Sequence, residues 1–93
     1  MKPHTASALR IEPSNIVLAA LKKAEDDEDW VLHLYEATGM PTDAMITFDE
    51  PVAQARETDL LEWNAGPPLT VVGSSVKRSF RAWEIAGIRV RFL

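Results

Sequence analysis

The segment from Pro13 to Gly39, PSNIVLAALKKAEDDEDWVLHLYEATG, decides the fold of this 93-residue chain. It holds two apolar runs, Ile16 to Ala24 and Trp30 to Thr38, separated by five consecutive acids. Strong helix formers fill the first run, whereas the second is rich in β-branched and aromatic residues. The residues alone therefore predict a strand for the second run and leave the first open between helix and strand.

Three segments of the chain, taken in order, resemble the C-terminal part of glycoside hydrolase family 38, the α-mannosidases. In the first, residues 15–39, an apolar strand ends in lysine and an Ala-Glu-Asp turn, and the next strand carries a basic residue and a Tyr-Glu pair. Glu57 to Glu62 resembles a strand that ends in a Leu-Glu pair, and Phe80 to Ile85 resembles the family's closing aromatic-Glu-Ile segment. The resemblance runs from Ile11 to Leu93 and implies that Ile16 to Ala24 is a buried strand.

Turn signals recur about every ten residues along the rest of the chain, which is typical of a β-sandwich or barrel. The last segment is a clear strand, because Ile88, Val90 and Phe92 alternate with arginines. Asn64 to Pro68 is the strongest breaker of regular structure. We predict an all-β fold, a small antiparallel β-sandwich of about seven short strands. It forms one domain over residues 8–93, after a disordered tail over residues 1–7.

The composition is that of an ordinary globular protein, without cysteine and with a net charge of −4. Twelve acids and one base lie between Glu25 and Glu62, whereas Ser74 to Leu93 holds five bases and one acid. We expect acidic and basic strands to pair with each other, and we expect no nucleic-acid partner. The N-terminus lacks a signal-peptide core and no apolar run reaches the ~20 residues of a membrane span, so a cytoplasmic location without membrane contact is expected.

No catalytic or metal-binding residue is predicted in the chain. Family 38 α-mannosidases hold zinc in an N-terminal catalytic domain, with Asp and His ligands and an Asp nucleophile, and this resemblance does not extend to that domain. The two histidines, His4 and His33, are too few for a zinc site. His33 stands where the family has arginine, which removes a permanent charge. The acids from Glu25 to Asp29 are interpreted as a solvated hairpin turn. We therefore expect an inactive chain without cofactor, zinc belonging to the catalytic domain alone.

The three tryptophans are the remaining candidates for binding. Trp63 adjoins the Asn-Ala-Gly-Pro-Pro loop and is the candidate platform for a sugar ring, with core packing as its alternative. Core packing is also predicted for Trp30 and Trp83, which have apolar neighbours on strands. The resemblance implies a non-catalytic module that packs on the catalytic and other domains of an α-mannosidase. The alternatives are an independent module that binds mannose-containing glycans, and a domain that pairs through an edge strand.

Overall fold

The computed structural model describes residues 9–23, 29–58 and 65–93, and all its regular structure is β-strand. No helix long and apolar enough to cross a membrane occurs in this part of the chain. The predicted tail over residues 1–7 lies outside it. The strands are β1 (Arg10–Glu12), β2 (Ile16–Lys23), β3 (Trp30–Glu36), β4 (Thr42–Thr47), β5 (Val52–Thr58), β6 (Ala65–Pro68), β7 (Thr70–Val72), β8 (Ser75–Phe80) and β9 (Ile85–Phe92).

The strands form two antiparallel sheets packed face to face. The smaller sheet has the order β1-β4-β8-β7, and the larger has the order β2-β3-β9-β5-β6. Apolar side chains from both sheets fill the space between them, with Leu32 and Leu34 of the larger sheet and Ile46 and Val76 of the smaller almost completely buried. The predicted antiparallel β-sandwich is confirmed, with nine strands in the described residues rather than about seven.

The core position of β9 follows from its sequence pattern. Ile88 and Val90 point into the core, as the alternation with Arg89 and Arg91 predicts. The strand lies between β3 and β5, so it pairs along both edges. Alternation thus correctly identified the central strand of the larger sheet as a strand.

β2 is a strand, as the resemblance implies, but the expectation that it is buried is wrong. It is an edge strand of the larger sheet that pairs only with β3 among the described strands. Ile16 is buried, whereas Ala19 and Ala20 are exposed beside an irregularity in the pairing. Pairing with β3 overrides the local helix propensity. The backbone hydrogen bonds between the two strands stabilise β2, and the propensities of single residues do not include them. Of the predicted turn from Glu25 to Asp29, residues 25–28 lie outside the described residues.

The prediction of a break over Asn64 to Pro68 is wrong for its last four residues. Ala65–Pro68 forms β6, which pairs with β5 at the edge of the larger sheet. Proline is tolerated on an edge strand because its missing N–H then faces away from the ladder. The segment from Asp59 to Asn64, which includes most of the predicted Leu-Glu strand, lies outside the described residues.

Candidate interaction surface

A buried carboxylate, Glu36, holds one end of the sandwich together. Glu36 ends β3 and is only 1% exposed. Six hydrogen-bond donors surround it, three at each carboxylate oxygen. Oε2 accepts from Asn15 Nδ2 at 2.8 Å, Thr38 N at 2.9 Å and Thr38 Oγ1 at 2.6 Å; Oε1 accepts from Gly39 N at 2.6 Å, Met40 N at 3.0 Å and Trp83 N at 3.0 Å. One side chain thus joins three separate segments of the chain.

These hydrogen bonds keep Glu36 ionised. Burial by itself raises the pKa of a carboxyl group, since it disfavours the charged form. The hydrogen bonds from the Thr38 hydroxyl, the Trp83 amide and the Asn15 side chain outweigh this effect, and the net pKa of Glu36 lies far below its usual value of 4.5. Glu36 is therefore a permanent acceptor for backbone amides and is not available as an acid at neutral pH.

The two turns that Glu36 binds carry the chain from one sheet to the other. Residues 37–41 lead from β3 to β4, and residues 81–84 lead from β8 back to β9. Gly39 has a φ of +80°, and a Cβ atom there would lie 2.8 Å from Cε2 and Cζ2 of Trp83. The Trp83 indole therefore lies directly on the backbone of Gly39, at a distance that no other amino acid allows.

Four large apolar side chains are exposed on the segments that meet at Glu36, either next to it in sequence or within the two turns and the start of β9. Tyr35 and Ile85 are directly opposed on β3 and β9, on the outer face of the larger sheet. Met40 and Trp83 donate their amides to the same oxygen of Glu36. The exposed fractions are 37% for Tyr35, 60% for Met40, 65% for Trp83 and 62% for Ile85. We refer to these four residues as the Trp83 surface.

The backbone of Trp83 is strained, and its amide hydrogen bond to Glu36 holds it in this conformation. Its φ is +62°, in the left-handed region, which costs a residue other than glycine about 1–2 kcal/mol. Because the residue is 65% exposed, only about a third of a large aromatic surface is covered, which contributes at most about 2 kcal/mol. The two terms nearly cancel. Strain of this kind is common at functional positions, although here the hydrogen bond from the Trp83 amide to Glu36 also stabilises the turn.

A charged group behind the second turn fixes the turn's shape. Arg78 reaches from β8 to Glu57 of β5 at 2.8 Å and to Glu84 at 3.3 Å, and its side chain is only 8% exposed. Its guanidinium also lies 4.7 Å from the centre of the Phe80 ring. Glu84 in turn accepts from the amide of Arg81 at 2.8 Å. Burial raises the pKa of Glu84, but the bonds from Arg78 and Arg81 outweigh it and lower the net pKa. The turn over residues 81–84 is thus bound at Trp83 by Glu36 and at Glu84 by Arg78.

The sequence profile described as the glycosyl hydrolases family 38 C-terminal beta sandwich domain matches residues 15–88. The match covers most of the chain, and the sandwich it names is the fold observed. The chain belongs to this family. A comparison with curated proteins found no matching sequence.

Two of the segments that resemble family 38 meet at the Trp83 surface. The Tyr35-Glu36 pair ends the first segment, and Trp83-Glu84-Ile85 belongs to the last. Tyr35 is the cross-strand partner of Ile85, and the Glu36 carboxylate accepts from the Trp83 amide. Residues from two of the three resembling segments are therefore in contact in the folded family 38 domain.

The structure corrects two predictions about single residues and leaves a third outside its range. Trp83 is exposed on a turn and does not pack in the core, because the tight connection from β8 to β9 turns it outward. Asp29 was expected in a solvated turn, but it is 6% exposed and accepts from Arg89 Nε at 2.7 Å and Arg91 Nε at 2.6 Å. Trp63, the predicted sugar platform, lies outside the described residues.

The remaining predicted residues take structural positions. Trp30 is half-buried at the start of β3, so the prediction that it packs in the core is only partly confirmed. His33 is half-buried on the outer face of the larger sheet, opposite Ala20 and Gly87. The ion pairs of Asp29 with β9 arginines agree with the expected pairing of acidic and basic segments.

The sequence reasoning missed Glu36 and Gly39. A signal was present, since an acid followed by Thr38 and Gly39 is the pattern of a side chain that accepts bonds from the amides of its own turn. The third partner, the Trp83 amide, lies 47 positions away and has no such signal.

No group of three or more side chains that could together bind a metal ion occurs among the described residues. A polar depression of about 470 Å³ lies against the smaller sheet, with Asp43, Thr70, Lys77 and Ser79 in its lining. Asp43 already accepts a hydrogen bond from Ser79 at 2.7 Å. Large aromatic side chains are missing from its described lining, which sets it apart from the Trp83 surface.

Proposed function

We propose that this chain is a non-catalytic C-terminal β-sandwich module that packs on, and supports, the catalytic domain of an α-mannosidase-type family 38 enzyme. The observation that carries the proposal is the family match over residues 15–88, together with the fold it describes. Its partners are the catalytic and other domains of that enzyme. Zinc, when bound by the catalytic domain, supplies the chemistry there, and this module contributes no residue to it.

The state of four of the described carboxylates supports a non-catalytic role. Glycoside hydrolysis normally uses two carboxyl groups that face a substrate, one of them an acid with a raised pKa. Here Glu36 is occupied by six donors, and Asp29 accepts from two arginines. Glu57 and Glu84 share Arg78. The pKa values of Glu36 and Glu84 are lowered, which is the opposite of what a general acid needs.

The proposal is tested by adding the purified chain to a family 38 catalytic domain prepared without its own C-terminal sandwich. We expect the chain alone to leave an aryl α-mannoside intact. We expect the mixture to have a higher melting temperature for the catalytic domain than the domain has alone, because binding to the folded state stabilises it. Turnover by the chain alone, with contaminating enzyme excluded, contradicts the non-catalytic role, and an unchanged melting temperature contradicts the supporting role.

One observation favours a second candidate, the binding of mannose-containing glycans. The exposed indole of Trp83 lies against the backbone of Gly39, and an exposed aromatic ring can serve as a platform for a sugar face. If this candidate is correct, mannobiose changes the tryptophan fluorescence of the wild-type chain in a saturable way. A Trp83→Phe variant, which keeps an aromatic ring, then retains part of the affinity, and a Trp83→Ala variant loses it.

A further inference from the structure

We infer that the Trp83 surface is the face through which this module docks onto the catalytic domain. The inference rests on the proposed function and makes it specific, since it assigns the contact to Tyr35, Met40, Trp83 and Ile85. It places the partner at the end of the sandwich where residues 37–41 and 81–84 change sheets.

The size of the Trp83 surface fits a contact between domains of one protein. With about 200 Å² for each large side chain, the four exposed fractions give roughly 450 Å² of apolar surface. Interfaces between domains of a chain bury about 600–1,500 Å² in total, counting both sides. Stable complexes between separate proteins bury about 800 Å² on each side. The Trp83 surface is thus too small for a stable dimer of the chain. It is large enough for a contact with a domain to which the module is covalently linked.

The polar groups beside the surface favour a dry protein contact over a sugar. A sugar needs free donors and acceptors around the aromatic ring, because its hydroxyl groups must be paired. Around Trp83 these groups bond to each other: Asn15 Nδ2 donates to Glu36 and, at 2.8 Å, to Thr42 Oγ1, which donates to the carbonyl of Met40. The carboxylates of Glu36 and Glu84 are likewise engaged. The polar groups of Asn15, Glu36, Thr42 and Glu84 are therefore already paired, and a partner has to provide acceptors only for the Tyr35 hydroxyl and the Trp83 indole N–H.

The surface is also organised in advance. Met40 and Trp83 come from turns 43 positions apart in sequence, yet both amides are fixed by Oε1 of Glu36. Tyr35 and Ile85 are fixed by pairing of β3 with β9. Fewer degrees of freedom are then lost when the partner binds, which strengthens binding without further contacts.

The experiment records amide and indole NMR spectra of the ¹⁵N-labelled chain while an unlabelled family 38 catalytic domain, lacking its own sandwich, is added. NMR is suited to the weak affinity that an untethered interdomain contact of this size gives. We expect the signals of residues 35–40 and 83–85 and the Trp83 indole to shift or broaden first. Trp83→Ala and Ile85→Lys should each weaken binding at least about tenfold, as for central interface residues.

Two variants serve as controls. Val72 is 57% exposed on the smaller sheet, so Val72→Ala removes a comparable exposed apolar group and should change the affinity less than about twofold. Ile85→Lys leaves the Glu36 network untouched, and it keeps the test valid if Trp83→Ala does not fold. Each variant is first compared with wild type by its amide spectrum.

The possible outcomes of the experiment separate the surface assignment from the proposed function. If the wild-type chain binds but its perturbed signals lie elsewhere, or if Trp83→Ala and Ile85→Lys bind as well as wild type, the surface assignment is overturned and the proposed function stands. If the wild-type chain does not bind at all, the proposed function is overturned as well. A saturable response of Trp83 to mannobiose, or a dimer of the chain that Trp83→Ala abolishes, assigns the surface to a sugar or to a second copy and overturns the inference.

Discussion

The contact between Gly39 and the Trp83 indole gives a quantitative prediction from two glycine substitutions. Gly39 and Gly73 both have positive φ angles, +80° and +63°. A Cβ atom at Gly73 would have no atom within 4 Å, whereas at Gly39 it would lie 2.8 Å from the indole. Gly73→Ala is therefore a matched control that carries only the backbone cost of Gly39→Ala.

The backbone cost is about 1 kcal/mol. A residue with a Cβ pays about 1–2 kcal/mol in the left-handed region, and the loss of glycine's freedom in the unfolded chain returns about 0.4–1 kcal/mol. Gly39→Ala must in addition displace the Trp83 ring. The ring can swing out, because Trp83 is 65% exposed. The free-energy cost of avoiding the clash is therefore no larger than that of exposing the apolar area of the ring that is now covered.

That burial sets the additional cost. About a third of an aromatic surface of ~250 Å² is roughly 90 Å², which at ~25 cal/mol per Å² is about 2 kcal/mol. We expect Gly39→Ala to lower the free energy of unfolding by about 3 kcal/mol and Gly73→Ala to lower it by about 1 kcal/mol. In a Trp83→Ala background, where no ring has to move, Gly39→Ala should cost only about 1 kcal/mol.

Urea unfolding of the four glycine and tryptophan variants, followed by far-UV circular dichroism, measures these differences. The coupling between Gly39 and Trp83, about 2 kcal/mol, is independent of the strained backbone of Trp83, since this strain is present on both sides of the cycle. Equal costs for Gly39→Ala and Gly73→Ala would refute the reasoning, and so would a cost of Gly39→Ala that is unchanged without the indole. In the docking experiment, Gly39→Ala should weaken binding although it keeps all four apolar side chains.

Three further predictions concern stability. Acidification should destabilise the domain, because the pKa values of Glu36 and Glu84 are lower in the folded than in the unfolded chain. Their contribution to the free energy of unfolding is complete above the unfolded pKa near 4.5 and falls as the pH drops below it. Urea midpoints at pH 3 to 7 measure this loss. Glu36→Gln should reduce this pH dependence, and Gln should also lower stability at pH 7 because its NH₂ group cannot accept from the turn amides; a slope equal to that of wild type contradicts the assignment. Leu34→Ala, at a fully buried position, should cost about 2–5 kcal/mol in the same assay, whereas Val72→Ala should cost less than about 0.5 kcal/mol.

The sequence predicted the architecture where patterns are local. The alternation in β9 and the composition of β3 identify strands that lie side by side at the centre of the larger sheet. The edge strands were predicted less well, because an edge is defined by which neighbours are missing and not by the residues of the strand itself. Resemblance decided that β2 is a strand, but it did not reveal the edge position that leaves Ala19 and Ala20 exposed.

The site could not be predicted because its contacts join distant parts of the chain. Asp29 looks like the last acid of a solvated run, and only arginines 60 and 62 positions later explain its burial. Trp83 has apolar neighbours in sequence, which suggested core packing, but its amide is bound to Glu36, 47 positions away, in a turn that leaves the ring exposed. In both cases the outcome depends on how the sheets come together, which no local pattern contains.

The central place of β9 also sets an order of events during synthesis. The hairpins β2–β3 and β5–β6 are made earlier, but they become parts of one sheet only when β9 enters between them. A nascent chain that ends before Ile85 lacks this joining strand. A chain shorter by a few more residues also lacks the turn at Trp83 that Glu36 binds. The larger sheet can therefore close only after nearly the whole described chain has been synthesised, whereas the strands of the smaller sheet are complete at Phe80.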